Sequence, residues 1–234
     1  MRIAIMQPTY LPWLGYFELM AHSDTFVYFD DVQFVKKSWH HRNKIKSPSG
    51  ELMLSISVKS GGESRTRISQ ALIDNNSNWR KKHFTSIDLN YKKAPYYNKY
   101  INGLADIYNR DFEKLLDVDV ALIEFFKQEL GISTPTVFSS DLHAYGERNE
   151  KIVNICKKLK ADVLYDAQGA EEILNLDIFK ANNIKCEFQH FQHPVYHQQH
   201  GDFISHLSVI DLLMNEGEKS LNIILSGNET TTEN

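Results

Sequence analysis

The sequence predicts an α/β fold, a parallel sheet wound by helices on both faces and carrying a helical insertion. Three observations predict it. Short aliphatic and β-branched runs alternate with helix-spaced segments at both ends of the chain. The opening residues read as strand, loop, helix, strand, a βαβ unit whose crossover is right-handed and whose strands are parallel. Residues 75–132 read as helix throughout, so a core formed by 1–74 and 133–226 is interrupted once.

Taken in order, Arg2–Met6 is a buried strand that stops at Pro8 and Pro12, and Tyr16, Leu19 and Met20 then supply a helical face up to Asp24. Thr25–Phe29 is the second strand. Lys36, Lys37, His40, His41, Arg42, Lys44 and Lys46 form a basic stretch that ends at the turn Ser47-Pro48-Ser49-Gly50. Leu52, Leu54, Ile56 and Val58 alternate as a strand with one buried face, Ser60–Ser64 reads as a flexible loop, and Ile68–Ile73 as a short strand. Helices are expected from about Trp79 to Tyr91, Tyr97 to Tyr108 and Phe112 to Leu130, the last capped by Gly131. Alternation then returns, with strands at Thr136–Phe138, Val163–Tyr165 and Ile184–Phe191, and helices at Asn149–Leu159, within Glu171–Asn182, at Leu207–Met214 and at Leu221–Leu225. The Thr-rich end, 227–234, is expected to be a disordered tail.

Composition excludes several classes. Of 234 residues, 42% are hydrophobic and 24% charged, enough to bury a sizeable core. A net charge of −4 argues against a nucleic-acid partner, whose phosphates would select a basic excess. Neither a signal peptide nor an apolar run of membrane-spanning length is visible, so membrane insertion is not expected and the expected location is cytoplasmic. Cys156 and Cys186 then read as reduced, buried thiols.

In parallel sheets ligands sit at the carboxyl ends of strands. Gln7 to Tyr16 and Asp30-Asp31 share that edge, so the binding candidates begin there. Gln7 suits a neutral hydrogen-bonding ligand, while Tyr10, Trp13 and Tyr16 are either a stacking platform or aromatics closing the sheet. Asp30 and Asp31 are either a carboxylate pair from which Asp31 serves as general base, or a turn cap paired with Lys36 or Arg42. Arg42 offers a planar fork for a diphosphate, with Lys44 adding charge, against the alternative of a solvated basic loop.

Gln7–Phe17, Asp30–Phe34, Ser38-Trp39 and Arg42–Ile45 together resemble the signature of the WbqC-like protein family. Phe191–Tyr196, Gln198, Phe203 and Leu207–Leu213 resemble its second block, so the likeness spans roughly 1 to 217. Members occur in bacterial gene sets for O-antigen and other surface polysaccharides and are described as candidate transferases, one of them of glycyl groups onto an amino sugar. The resemblance favours a binding role for Arg42 and Asn43, which lie in the motif, and less so for His40 and His41. Trp13-Leu14-Gly15-Tyr16 also looks like a modified His-x-Gly-His signature of the nucleotidyltransferase and pantothenate-synthetase group, which implies a Rossmann-like core. Both histidine positions are aromatic here, which counts against ATP chemistry.

Five of the ten histidines, His190, His193, His197, His200 and His206, crowd a short segment, but Pro194 interrupts it and no ligand pattern is completed, so no metal is expected. His193, with Tyr196 and Gln198 in the second family block, follows a strand and is the other candidate base, with a backbone-bonded loop histidine as the alternative. Asp211 lies in an apolar helix and needs a partner, for which Arg42 or a histidine are candidates.

The resulting expectation is an acyl or aminoacyl transfer to the amine of a nucleotide-linked amino sugar. The nucleotide sugar is the expected partner and an acyl or aminoacyl donor the expected co-substrate. An ATP-dependent amide ligase and a non-catalytic binding protein of the same biosynthesis are the other two classes. No Gly-rich phosphate loop marks ATP or coenzyme A.

Overall fold

The computed structural model describes residues 1–59 and 66–228; the expected loop at Ser60–Ser64 and nearly all of the expected tail lie outside them. Its centre is a five-stranded, all-parallel sheet of β1 (Arg2–Met6), β2 (Thr25–Tyr28), β5 (Thr136–Phe138), β6 (Val163–Ala167) and β7 (Lys185–Gln189), in the order β5-β2-β1-β6-β7. The chain runs outward from β1 through β2 to β5, returns to the far side of β1, and runs outward again through β6 to β7. That reversal makes the crevice beyond the carboxyl ends of β1 and β6 a topological switch point. The core is thus the expected Rossmann-like α/β sheet.

Helix α1 (Leu14–Ala21), buried along almost its whole length, crosses between β1 and β2. On the same side Phe17 meets Phe126 of α4 (Leu115–Leu130) edge-on at 6.2 Å. Tyr28 of β2 donates to Glu124 of that helix at 2.7 Å. A separate buried cluster on the other side joins Ile3, Ile5, Val27 and Leu164 to Val153, Ile155 and Cys156 of α5 (Asn149–Leu159) and to Phe179 of α6 (Leu176–Ala181). Both sheet faces are covered, which is why the strands read as continuous apolar runs.

The long connection from β2 to β5 holds more than the expected helices α2 (Trp79–Tyr91), α3 (Tyr97–Tyr108) and α4. It opens with an antiparallel hairpin, β3 (Arg42–Ser47) and β4 (Gly50–Ser55), around the anticipated turn. The basic stretch is therefore partly a strand, with Asn43, Ile45 and Lys46 buried. Ile68–Gln70 forms a 3-10 turn instead of the expected strand, because its amides bond back locally and to the 30–32 segment. After β7, residues 190–208 wrap without regular structure to α7 (Val209–Glu216) and α8 (Ser220–Ser226). No described helix is long and apolar enough to cross a membrane.

Candidate functional site

A cavity of about 550 Å³ occupies the switch point. Gln7 and Thr9 enter it from the end of β1, Asp166 and Ala167 from the end of β6, and Trp13 and Tyr16 from the start of α1. Ser38, Trp39, His40 and Asn43 form the wall contributed by the loop before β3. Ile152 of α5 and the segment after β6, with Ala170, Ile173 and Leu174, close the other side. Neither lysine nor arginine is among these described lining residues.

The Gln7 side chain is held. His40, buried under Phe34 with ring centroids 5.7 Å apart, places Nε2 2.7 Å from Gln7 Oε1, while its Nδ1 faces the Val35 amide at 3.5 Å. Burial, then the neighbouring His41, depresses the His40 pKa to about 4, so the ring is neutral and Nε2–H donates to the Gln7 carbonyl. With its carbonyl so occupied, Gln7, a lining residue, keeps its NH2 as the group left to donate. Asn43 is fixed by donating to Leu11 O at 2.6 Å.

Trp13 is positioned by the residue two places on. A Cβ at Gly15 would lie 2.4 Å from the Trp13 ring, so the glycine lets the indole fold over the first turn of α1. The indole stacks on His206 at 5.3 Å and 21° and meets Phe191 edge-on at 5.3 Å. Tyr16 lines the cavity although it is almost fully buried, and its hydroxyl finds no hydrogen-bond partner.

Asp166 is the acid of the cavity, and sequence reasoning passed it over. The register pairing Ile3 with Leu164 sets it level with Ile5, at the carboxyl edge of the sheet. Burial raises its pKa to about 6, opposed by a 2.8 Å bond from the Ala167 amide. A carboxyl poised near neutrality at a switch point has the position and protonation that a base or an ammonium partner needs. Its only sequence signal is a polar residue interrupting Val163-Leu164-Tyr165 at the strand end.

The other anticipated residues lie elsewhere. Asp30 accepts from Ser139 Oγ at 3.1 Å and the Ser140 amide at 3.0 Å; Asp31 accepts from Ser139 Oγ at 2.6 Å and pairs with Lys151 at 2.5 Å. The pair ties the end of β2 to the end of β5 and lines no part of the cavity. Tyr10 is core, 2.8 Å from His83 and 2.5 Å from Tyr108. Lys44 pairs with Glu51 at 2.6 Å across the hairpin. Arg42 donates to Lys37 O and lies 5.8 Å from the Trp39 ring, with Nε unpartnered. It therefore stands beside a cavity wall.

His193 sits behind Trp13, within rings of Trp13, Tyr196, Phe203 and His206. Its Nδ1 bonds Pro194 O at 2.9 Å, Nε2 has no partner, and burial lowers its pKa. Tyr196 and Gln198 belong to a buried network instead. Asp211 accepts from Tyr91 at 2.9 Å and Tyr196 at 2.9 Å, in place of the expected Arg42 or histidine. Gln198 accepts from Lys46 Nζ at 3.0 Å. This network fastens the 190–208 segment to the hairpin. Both cysteines are free, and burial raises Cys156 to about 12 and Cys186 to about 11, so neither is a ready nucleophile.

A model of the WbqC-like protein family matches residues 7–223, taking in four of the five sheet strands, the loop before β3 and the 190–208 segment, and beginning just after β1. The chain belongs to the WbqC-like protein family. The Mycobacterium tuberculosis protein described as "Uncharacterized protein Rv1507c" is 30% identical over 221 residues, covering 94% of this chain and 95% of that one. No solved structure matches. For this WbqC-like chain, the residues that meet at the switch point are the conspicuous Gln7, Trp13, Tyr16 and Asn43 together with His40, Asp166 and His206.

Proposed function

We propose that the switch-point cavity is the substrate site of a transferase of bacterial surface-polysaccharide sugar biosynthesis, which moves an acyl or aminoacyl group from an activated donor to the amine of a nucleotide-linked amino sugar. The observation that carries the reading is Asp166, a carboxyl with a pKa of about 6 in a mainly apolar cavity. As a carboxylate it pairs with the sugar ammonium and then takes its proton. The freed nitrogen lone pair forms the C–N bond as the bond from acyl carbon to leaving group breaks. The first proton passes from Asp166 to the leaving group, and the second proton, shed by the nitrogen as the neutral amide forms, leaves through the regenerated carboxylate to water. In this reading Gln7, held by His40, donates to a sugar hydroxyl or the acyl oxygen. Trp39 offers a ring face to the sugar and Trp13, its faces covered by α1 and His206, an edge, while Arg42 beside Trp39 meets the diphosphate outside the cavity. A cation-free lining gives no support to ATP adenylation within the cavity.

A thermal-shift screen with ATP, coenzyme A and UDP- or dTDP-linked amino sugars, on wild type and Asp166→Asn, tests the proposal. A ligand at a hundred times its Kd adds about 2.7 kcal/mol, a melting shift of roughly 5 to 10 °C for a chain of this size. A shift with an amino sugar nucleotide that Asp166→Asn abolishes is expected. A shift with ATP alone would overturn the transferase in favour of a ligase. Binding of an amino sugar without turnover in the presence of acyl donors would leave a binding protein.

A further inference from the structure

We propose that the apolar half of the cavity is a subsite for an aliphatic acyl group, so that of the two transfers above the chain performs acyl and not aminoacyl transfer. The inference rests on the transferase reading and deepens it by naming the donor's chemical class.

Two observations carry it. The first is the count of charges. Asp166 is the one acid among the described residues lining the cavity, and the sugar amine uses it. An aminoacyl group brings a second ammonium, which would be buried against Phe29, Ile152 and Leu174 with no anion to meet it, at a cost of several kcal/mol.

The second is the wall itself. Ile152, Ala170, Ile173 and Leu174 face the space beside Asp166, and Ile173 is 77% exposed. These residues come from α5 and from the segment that follows β6, the strand that carries Asp166. A methylene chain reaching from an amide nitrogen at Asp166 toward Ile173 and Leu174 would remove this apolar surface from water. A glycyl or acetyl group leaves most of it uncovered.

The test is a calorimetric titration with a series of N-acyl hexosamines from acetyl to hexanoyl, and with the N-glycyl compound, on wild type, Asp166→Asn and Ala170→Phe. Affinity rising about fourfold per methylene, at about 0.8 kcal/mol each, is expected in wild type; the glycyl compound, whose sugar nitrogen is already an uncharged amide, is compared in Asp166→Asn, where it is expected to bind no tighter than the acetyl. Ala170→Phe, which fills the space from the short 3-10 turn Gln168–Ala170 outside the buried core, is expected to flatten the series. Asp166-dependent binding with no chain-length trend, or with glycyl tightest, would overturn the inference and leave the transferase reading intact. A trend that survives in Ala170→Phe would place the chain elsewhere and also overturn it. A trend that persists in Asp166→Asn supports the subsite, since the amide nitrogen of these compounds carries no charge for Asp166 to meet. Absence of binding by the whole series would overturn both.

Discussion

His40 Nε2 lies 2.7 Å from Gln7 Oε1, and this bond occupies the carbonyl of a cavity-lining side chain and leaves its NH2 to donate. The His40→Ala variant frees the amide to rotate. Ligand affinity is expected to fall about tenfold, the worth of one buried hydrogen bond at about 1.4 kcal/mol. His40→Gln, which can still donate to Gln7, should retain more of it. Titration of a bound amino sugar into both variants checks this, and equal affinity in all three proteins would dismiss the role given to His40.

The same burial makes the fold sensitive to acid. Burial depresses both His40 and His83 to about 4, below the ordinary histidine value of 6.5. Between those values the unfolded chain binds protons that the folded chain does not. Stability is therefore fully present above about 6.5 and falls as pH drops toward 4, by about 1.4 kcal/mol per pH unit for each histidine. Asp166, raised to about 6, has the opposite sign and becomes relatively more favourable as pH falls through 6. Urea denaturation at pH 7 and pH 5 should show His83→Gln losing less stability on acidification than wild type and Asp166→Asn losing more.

Gly15 and Trp13 form a unit. A methyl at residue 15 would sit 2.4 Å from the indole, so Gly15→Ala must push Trp13 off α1 and out of its stack on His206. The expected cost is about 1–3 kcal/mol of stability, together with a change in tryptophan fluorescence and weaker ligand binding. Unaltered fluorescence would show that the indole does not rest there.

Asp211 separates stability from binding. It is fully buried and accepts from Tyr91 and Tyr196 at 2.9 Å each, away from the cavity. Tyr196→Phe is expected to cost about 1–3 kcal/mol in urea denaturation. At temperatures where the variant remains folded, Kd for an amino sugar should be within about twofold of wild type, which is about 0.4 kcal/mol.

The sheet was legible in the sequence because its strands are buried on both faces and stand out as aliphatic runs such as Ile3-Ala4-Ile5 and Phe26-Val27-Tyr28. The hairpin strand Arg42–Ser47 was not, since five of its six residues are polar and its buried Lys46 depends on Gln198, Gly201 O and Asp202 O, supplied from the other end of the chain. Gln7 and Trp13 were found as site candidates because proline, glycine and aromatic residues cluster around the first strand end, and Asn43 because it lies in the motif that resembles the family. Asp166 was missed because a single carboxylate carries no spacing, and its meaning arises only when β6 is laid beside β1. Asp30-Asp31 drew attention as a pair, yet Ser139, Ser140 and Lys151, all distant in sequence, occupy both carboxylates.

The most direct test of Asp166 as the amine's partner is the pH dependence of amino-sugar binding in wild type and Asp166→Asn. The account predicts tight binding in wild type at pH 7.5, weakening about tenfold per pH unit once the carboxyl protonates below about 6, and weak, pH-independent binding in Asp166→Asn. Equal affinity of the two proteins at pH 7.5 would contradict it.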